Sequence, residues 1–409
     1  MLTQLNALYR RPAQGLLKLL CAAVVLTGCG GGGGGTGGTT PAGAVSSFAA
    51  GTITGFGSII VNGVRFDDSS ASVSDDDGNA HRNDELRLGM TAEIESAGVT
   101  SDASGSHGTA RAIRFGSEIV GPVSSIAADA KSLVVLGETV QITATTLFDD
   151  RLIGGLAGLT PGTDIVEVHG LLDAATGIYT ATRIEPRPNA LFFKLRGVVS
   201  NIDKTAHTFR IGSGTETISY AGIAAAVPAA LDNGLLVRVR LDKTQVAGNW
   251  VATAIASGVR KLEDHDEAEL EGAITASTFA ADKKFSVNGI AVDATTAAYP
   301  QGSDGIVLGA RVEVKGSAVN GVVVATRVSI ETEHDRELKG FELHGAISAF
   351  DGNAKTFLLR GMTVSFGDAS VEFRKGAVTD LANGRKVEVK GVRARDGTTL
   401  VASRISFED

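Results

Sequence analysis

Short runs in which apolar and polar residues alternate recur along the chain, and glycine stands at their ends. Residues 58–63 and 285–289 are two such runs, and both finish in Asn-Gly, which favours a tight hairpin because both residues tolerate positive φ. Alternation with a period of two places the apolar side chains on one face of a strand. The pattern therefore predicts short antiparallel strands joined by glycine turns.

One unit built from such strands recurs five times. Each copy opens with a glycine that is followed two residues later by Ile or Val, and the openings are 70, 76, 75 and 73 residues apart. A hairpin strand comes next, then a strand resembling Gly-x-x-Val-Glu-Val, and finally a small residue three positions before an aliphatic one. The opening glycines are Gly51, Gly121, Gly197, Gly272 and Gly345. Five copies in the same order indicate internal duplication.

Each unit is predicted to be a small closed barrel. About five or six strands and at most one short helix fit into about 70 residues, and closing the sheet removes edges that would otherwise promote aggregation. The predicted fold class is all-β, a tandem array of about five small antiparallel barrels of the OB-like or SH3-like kind. A barrel of this size is marginally stable alone, so we expect neighbouring barrels to pack together. The predicted barrels are residues 50–118, 119–190, 191–267, 268–335 and 336–409.

The beginning of the chain has the layout of a secretory signal. Residues 1–28 carry three basic residues and no acidic one, and their apolar run at 19–26 is too short to span a bilayer. The sequence Leu-Thr-Gly-Cys at 26–29 matches the bacterial lipobox. By that resemblance, Cys29 becomes the acylated first residue of the mature chain, and Gly30 after it resembles the outer-membrane sorting class of Gram-negative lipoproteins. The glycine-rich residues 29–49 predict a flexible tether.

Composition narrows the classes of function. The formal charge of −8 becomes −11 once the signal is removed, and such an acidic chain is unsuited to general nucleic-acid binding. Both cysteines lie at or before residue 29, so the mature chain has no free thiol for a disulfide, for thiol catalysis or for a cysteine metal site. Gly-Lys, His-Glu-x-x-His and Gly-x-Ser-x-Gly do not occur. We therefore expect no enzyme activity and no cofactor beyond the lipid on Cys29.

The repeats resemble a known bacterial family. The pattern G-x-I, F-x-V-N-G, L-x-x-G-x-x-V-E-V-x-G and A-x-x-I, best matched at residues 285–289, 308–316 and 381–391, is similar to the domain of unknown function 5666. That family occurs in tandem in exported lipoproteins. The third copy departs from the pattern, because residues 235–239 read Leu-Leu-Val-Arg-Val and no glycine closes the strand. The resemblance implies a small barrel and an envelope location, but no activity.

Two acidic segments with a histidine precede repeat openings. The weak metal-ligand candidates in them are His265, Asp266, Glu333, His334 and Asp335. Histidine with carboxylates suits zinc or copper, but a solvated charged linker explains the same residues, since neighbouring side chains in a strand point to opposite faces. Residues 75–79 read Asp-Asp-Asp-Gly-Asn, yet a calcium loop aligned on that glycine would begin at Val73, which has no side-chain oxygen.

These observations lead to two functional hypotheses. The first is a non-enzymatic lipoprotein, held at the outer membrane through Cys29, whose five barrels form a rod or curved array that binds a protein or an envelope polymer. The alternative is a module that binds a small ligand or a divalent metal at the barrel mouths or at the acidic joints between repeats.

Overall fold

The alternating segments form strands almost throughout the computed structural model, which describes residues 45–103, 105–394 and 396–408. The predicted signal peptide, Cys29 and residues 29–44 of the predicted tether lie outside the described residues. The first strand begins at Ser47, within the range that the sequence assigned to the tether. Among the described residues, no helix is both long enough and apolar enough to cross a membrane.

Barrels 1 and 2 follow one another from residue 47 to residue 186. Barrel 1 contains β1 (Ser47–Phe56), β2 (Ile59–Val61), β3 (Val64–Asp67), β4 (Ser72–Asp75), β5 (Ala80–His81), β6 (Thr91–Asp102) and β7 (Gly105–Gly116). Barrel 2 contains β8 (Ile119–Ile126), β9 (Ser132–Val135), β10 (Glu138–Gln141), β11 (Leu147–Phe148), β12 (Ile165–Asp173) and β13 (Ile178–Pro186).

Barrels 3, 4 and 5 complete the chain. Barrel 3 contains β14 (Phe193–Asp203), β15 (Thr208–Ile211), β16 (Ile218–Ser219), β17 (Leu236–Leu241) and β18 (Trp250–Ser257). Barrel 4 contains β19 (His265–Ser277), helix α1 (Phe279–Asp282), β20 (Lys284–Val287), β21 (Ile290–Asp293), β22 (Arg311–Val319) and β23 (Val322–Ile330). Helix α2 (Glu333–Lys339) leads to barrel 5, which contains β24 (Phe341–Ala346), β25 (Ser348–Asp351), β26 (Thr356–Leu359), β27 (Met362–Ser365), β28 (Glu372–Arg374), β29 (Lys386–Arg393) and β30 (Thr399–Phe407).

All five barrels share one closed strand order. In barrel 1, β1 pairs with β2, β2 with β3, β7 with β6, and β6 with β1, all antiparallel, whereas β3 and β7 pair in parallel. If the five barrel strands are numbered in chain order, neighbouring strands follow the order 1-2-3-5-4, and strand 4 pairs with strand 1 to close the barrel. The other four copies repeat it. This five-stranded Greek-key order is that of an OB-like barrel, so the predicted fold class is confirmed.

The predicted short helix is a short 3-10 segment between the third and fourth strands in four barrels. The exception is barrel 4, where α1 follows the first strand instead. The 3-10 turns are Asn83–Glu85, Gly155–Gly158, Ala221–Ala226 and Val378–Asp380. None of these turns forms a packing layer of its own.

The opening glycine marks the corner at which the first strand changes partner. In β19, residues up to Ala273 pair with β22, and residues from Ile274 onward pair with β20. A Cβ on Gly272 would lie 2.2 Å from the side-chain nitrogen Nδ2 of Asn288, which is in the turn of the following hairpin. Glycine is therefore required where the hairpin folds back over the bent strand. Gly51 has the same relation to Asn62, since a Cβ on Gly51 would lie 2.1 Å from the amide oxygen.

The glycine that closes the Val-Glu-Val motif is required for a different reason. Gly170, Gly316 and Gly391 each follow a shift in register between the fourth and fifth strands. A Cβ on Gly316 would lie 2.1 Å from the carbonyl oxygen of Val324 on the facing strand. The motif thus encodes a β-bulge that bends the fourth strand around the barrel.

The barrels do not pack only against their neighbours in sequence. Barrel 1 pairs in parallel with barrel 4 through β1 and β19, and with barrel 5 through β1 and β24. Barrels 2 and 3 pair through β8 and β14. Buried residues of barrels 1 and 5, with Leu147 of barrel 2, form one core cluster, and other buried apolar residues of barrels 2 and 3 form another. The described residues from Val45 onward accordingly form one compact unit.

Candidate ligand-binding site

The outward side chains of the first and fourth strands form a polar face on each barrel, which we call the charged face. The glutamate of the Val-Glu-Val motif lies on it, directly opposite the first-strand residue that precedes the opening glycine. In four barrels this motif position is acidic, and the residues are Glu93, Glu167, Glu313 and Glu388. In barrel 3 it is Arg238, which faces Arg196. The charge at this position is therefore reversed in barrel 3.

Barrel 3 carries four cations side by side on its charged face. Lys194 and Arg196 on β14 lie opposite Arg240 and Arg238 on β17, so two like-charged pairs are adjacent across the strands. Lys194 is only 5% exposed. Like charges placed directly opposite one another destabilise a sheet, and buried cations need anionic partners. This face must therefore recruit carboxylates or other anions from outside barrel 3.

A turn of barrel 1, residues 75–79, supplies two of these carboxylates, and we call it the acidic tip. Asp76 Oδ1 lies 3.1 Å from Lys194 Nζ, and Asp77 Oδ2 lies 2.7 Å from Arg240 Nη2. Arg238 reaches both aspartates, at 3.3 Å each. Asp75 holds the turn, because its Oδ1 accepts hydrogen bonds from the backbone N–H groups of residues 77 and 79. The triple aspartate thus docks barrel 1 onto barrel 3.

Beside the acidic tip lies a partly open cavity of about 180 Å³, which we call the junction cavity. Residues from barrels 1, 3 and 4 and from the segments around Ser117 and Gly258 line it. Its cationic lining residues are Arg114, Arg196, Arg238 and Arg260, and its acidic ones are Asp76, Glu93 and Glu118. The lining therefore has a net charge of +1, although the whole chain has a charge of −8.

The four arginines differ in how completely they are paired. Arg196 Nη1 lies 3.1 Å from both carboxylate oxygens of Glu118, and its Nη2 donates to the carbonyl oxygen of Asn288 at 2.6 Å. Arg260 pairs with Glu93, and Arg238 pairs with Asp76 and Asp77. Among the described residues, the polar partners of Arg114 are the carbonyl oxygen of Asp76, in a 3.3 Å hydrogen bond, and Glu93, in a 4.0 Å contact. Arg114 is therefore the cavity arginine with the most capacity left for an anion.

The electrostatic surroundings of Arg114 agree with this assignment. Burial lowers the pKa of its guanidinium, Asp76 partly offsets that effect, and the positive charges of Arg238 and Arg196 lower the pKa further. An arginine remains protonated in proteins, so the lowered pKa means that its charge is poorly compensated. An anion bound beside Arg114 would supply the missing compensation.

Asp76 also lines a second cavity of about 450 Å³. Asp76, Phe115, Gly116 and Ser117 line both spaces. The second cavity also contains Lys194 and Phe192, and the guanidinium of Arg240 lies 4.4 Å over the Phe192 ring. The two cavities are therefore adjacent and share part of their lining.

The metal-ligand candidates from the sequence have other partners. Asp266 accepts hydrogen bonds from the backbone and hydroxyl of Ser46, and the ring of His265 lies 5.7 Å from that of Phe48. Glu333 accepts from Thr145 at 2.6 Å and from Arg311 at 2.9 Å. The remaining two belong to the first turn of α2, where Asp335 forms a capping box with Thr332 and His334 lies beside it. The structure does not bring these five residues together into one ligand group.

Elsewhere in the described chain, one group of three possible ligands does converge. The ligand atoms of Glu342, His344 and Glu388, on the charged face of barrel 5, lie within 4.8 Å of one another. Sequence reasoning missed this group and also missed the arginines of the junction cavity. The sequence does contain a signal for the arginine cluster, because in the third copy Arg238 replaces the glutamate of the motif.

Comparison with known families agrees with the repeat structure. Residues 120–185, 271–329 and 344–406 match the family described as a domain of unknown function, DUF5666. No curated protein matches the chain. The matched segments lie in barrels 2, 4 and 5, and barrels 1 and 3 share their closed strand order. The three matches show tandem DUF5666 domains at these segments of the chain.

Proposed function

We propose that this chain is a non-enzymatic, lipid-anchored protein of the bacterial cell envelope that binds a small anion in the junction cavity. The lipobox at residues 26–29 supports the anchor through Cys29 and an outer-membrane location. If the anchor is formed as proposed, the substitution Cys29→Ser is expected to move the protein from the membrane fraction to the soluble fraction.

The charge reversal on barrel 3 carries the binding proposal. Four equivalent motif positions are acidic, whereas barrel 3 presents Arg238 together with Lys194, Arg196 and Arg240. Guanidinium groups bind carboxylate and phosphate oxygens through paired hydrogen bonds, so a cluster of them suits an anionic ligand. Arg114 and Arg238 would contact the anion, while Arg196 and Glu118 would hold the surrounding segments in position.

The size of the junction cavity limits the ligand. Pockets for drug-sized molecules usually occupy roughly 300–1,000 Å³, whereas this cavity occupies about 180 Å³. A phosphate, a sulfate or a short carboxylate fits that volume better than a nucleotide. The ligand class is therefore a small oxyanion.

The small-ligand hypothesis is favoured over the multivalent scaffold by how the charged faces are used. Multivalent binding requires an equivalent face to be free on several barrels. Here the charged face of barrel 3 contacts Asp76 and Asp77 of barrel 1, and that of barrel 5 contacts Arg65 of barrel 1. The contacts between barrels thus support a single composite site.

Titration calorimetry of the mature chain tests the proposal. Phosphate, sulfate and citrate are titrated at constant ionic strength, with chloride as the reference anion. We expect one oxyanion site in the wild-type chain and a loss of at least about tenfold in affinity, or about 1.4 kcal/mol, in Arg114→Gln.

Arg111→Gln is the matched control, because Arg111 lies on the same strand as Arg114 but is exposed and does not line the cavity. The control should bind like the wild type. Absence of heat with all three oxyanions, or equal affinity in Arg114→Gln and wild type, would contradict the proposal.

A further inference from the structure

A second cluster of ionisable side chains lies on the charged face of barrel 5. Glu342 and His344 point outward from β24, and Glu388 on β29 is directly opposite His344. Their ligand atoms lie within 4.8 Å of one another. Glu342 and His344 are two positions apart, so they lie on the same face of β24, and Glu388 lies beside them on the neighbouring strand. The three side chains therefore converge.

His344 is oriented by a fourth carboxylate. Its Nδ1 lies 2.6 Å from Oε1 of Glu408, and its Nε2 lies 2.7 Å from Oε1 of Glu342. A carboxylate that accepts the Nδ1 proton leaves the lone pair of a neutral imidazole on Nε2. Metal-bound histidines usually have such a carboxylate or carbonyl partner at the other ring nitrogen.

A cation from barrel 1 already contacts two of these three ligands. Arg65 Nη1 lies 2.7 Å from His344 Nε2, and Arg65 Nη2 pairs with Oε1 of Glu342. The nitrogen and oxygen atoms that a metal would use therefore hold a guanidinium in this structure. The Arg65 side chain is 23% exposed, so it has a solvent path along which to leave.

We propose that Glu342, His344 and Glu388 bind a zinc-class divalent cation and that Arg65 competes with it for the same position. One imidazole nitrogen and two carboxylate oxygens suit Zn²⁺, with water as a fourth ligand, whereas Ca²⁺ and Mg²⁺ prefer oxygen ligands alone. Lys390, whose Nζ lies 2.7 Å from Oε2 of Glu342, remains as a second neutralising cation. Zinc and Arg65 exclude one another, so metal binding would release one contact between barrels 1 and 5.

His81 in barrel 1 provides an internal control. Its two ring nitrogens are taken by different carboxylates, Glu85 at 2.8 Å from Nδ1 and Asp75 at 3.3 Å from Nε2. Two carboxylates, Glu342 and Glu388, converge with one ligand atom of His344 within 4.8 Å, whereas the described residues provide no such convergent group at His81. The composition of this cluster resembles that of the barrel 5 site, but its geometry does not form a site.

Zinc titration by calorimetry on the mature chain tests the inference. We expect Arg65→Gln to bind one Zn²⁺ at least about tenfold more tightly than wild type, because the competing cation has been removed. Adding His344→Gln or Glu388→Gln to that variant should weaken binding at least tenfold. Adding His81→Gln should leave it unchanged.

Two outcomes would overturn the inference. One is that Arg65→Gln, shown to be folded by its thermal melt, binds Zn²⁺ no more tightly than wild type. The other is that Arg65→Gln with His344→Gln keeps the tight site. If Arg65→Gln does not fold, Arg65→Lys replaces it, since one ammonium cannot contact both Nε2 and Oε1 as the guanidinium does. Arg65→Lys must then bind more tightly than wild type.

Discussion

At the scale of single residues, the fold depends on charges that are buried between barrels. Asp77 shows this clearly, because its side chain is 8% exposed and contacts Arg238 at 3.3 Å and Arg240 at 2.7 Å. Breaking such a pair by removing one partner is costly, because the remaining charge is left buried and uncompensated. The acidic tip and the charged face of barrel 3 therefore depend on one another.

Substitution Arg238→Glu restores the acidic residue that the other four copies carry at this motif position. It should nevertheless destabilise this chain by about 3 kcal/mol, because the new carboxylate faces Asp76 and Asp77. Urea unfolding measures the loss. Lys243→Glu is the control, since Lys243 is an exposed residue of barrel 3, and it should change stability by less than about 0.5 kcal/mol. Equal stability of the two variants would show that the acidic tip is not docked on Arg238.

Glu138 predicts a dependence of stability on pH. It is 2% exposed beneath a turn of barrel 3, where a Cβ on Gly214 would lie 2.1 Å from its Oε1, and burial raises its pKa from 4.5 to about 8. The folded state then keeps a proton that the unfolded state loses. The contribution of Glu138 to the free energy of unfolding is therefore fully present below pH 4.5. It falls by up to about 1.4 kcal/mol per pH unit as the pH rises to about 8.

Unfolding in urea at a series of pH values measures this effect. Glu138→Gln should reduce the slope between pH 4.5 and 8, whereas the same change at exposed Glu263 should not. An unchanged slope in Glu138→Gln would mean that Glu138 is not protonated in the folded protein.

At the scale of elements, the two motif glycines explain why each strand bends where it does. The opening glycine makes a corner in the first strand, and the closing glycine makes a bulge in the fourth. In barrel 3, Leu241 takes the place of the closing glycine at a similar register shift, and in barrel 1 Ser96 does so. These are the two barrels outside the segments matched by the family model.

Gly316→Ala should destabilise the protein by about 1–3 kcal/mol, because the new methyl group would lie 2.1 Å from the carbonyl oxygen of Val324. Thermal unfolding measures the change. Gly222→Ala is the comparison, since a Cβ there meets no atom within 4 Å. A neutral Gly316→Ala would show that the bulge tolerates a side chain.

The sequence was sufficient to predict the elements and the barrel, but not the site. Glycine spacing and the Asn-Gly turns are local signals, so the hairpins and the five copies could be read directly. The junction cavity depends on residues far apart in the chain, such as Asp76 with Arg238 and Arg196 with Asn288. No local pattern encodes which barrel faces which. The sequence shows that Arg238 replaces a glutamate, but it does not show that Asp76 and Asp77 are its partners.

At the scale of the described molecule, stability is shared between barrels that are distant in sequence. Buried residues of barrel 5, such as Phe357 and Ile405, belong to the same core cluster as Ile53 and Ile94 of barrel 1. The core of barrels 2 and 3 is a separate cluster. Barrels 1 and 5 therefore stabilise one another although three barrels separate them in the chain.

Truncation after Ile330 removes barrel 5 and should weaken barrel 1 more than barrels 2 and 3. Hydrogen exchange followed by mass spectrometry should show faster exchange in β6 and β7, with β12 and β17 largely unchanged. Equal protection of β6 and β7 with and without barrel 5 would indicate that barrel 1 is stable by itself.

We propose that the junction cavity binds an oxyanion between Arg114 and Arg238. Anomalous diffraction from crystals of the mature chain, grown without sulfate or phosphate and soaked in selenate, tests it most directly. We expect a selenium peak in the junction cavity, with oxygens about 3 Å from both guanidinium groups, that disappears in Arg114→Gln. An empty junction cavity in soaked wild-type crystals, or an undiminished peak in Arg114→Gln, would contradict it.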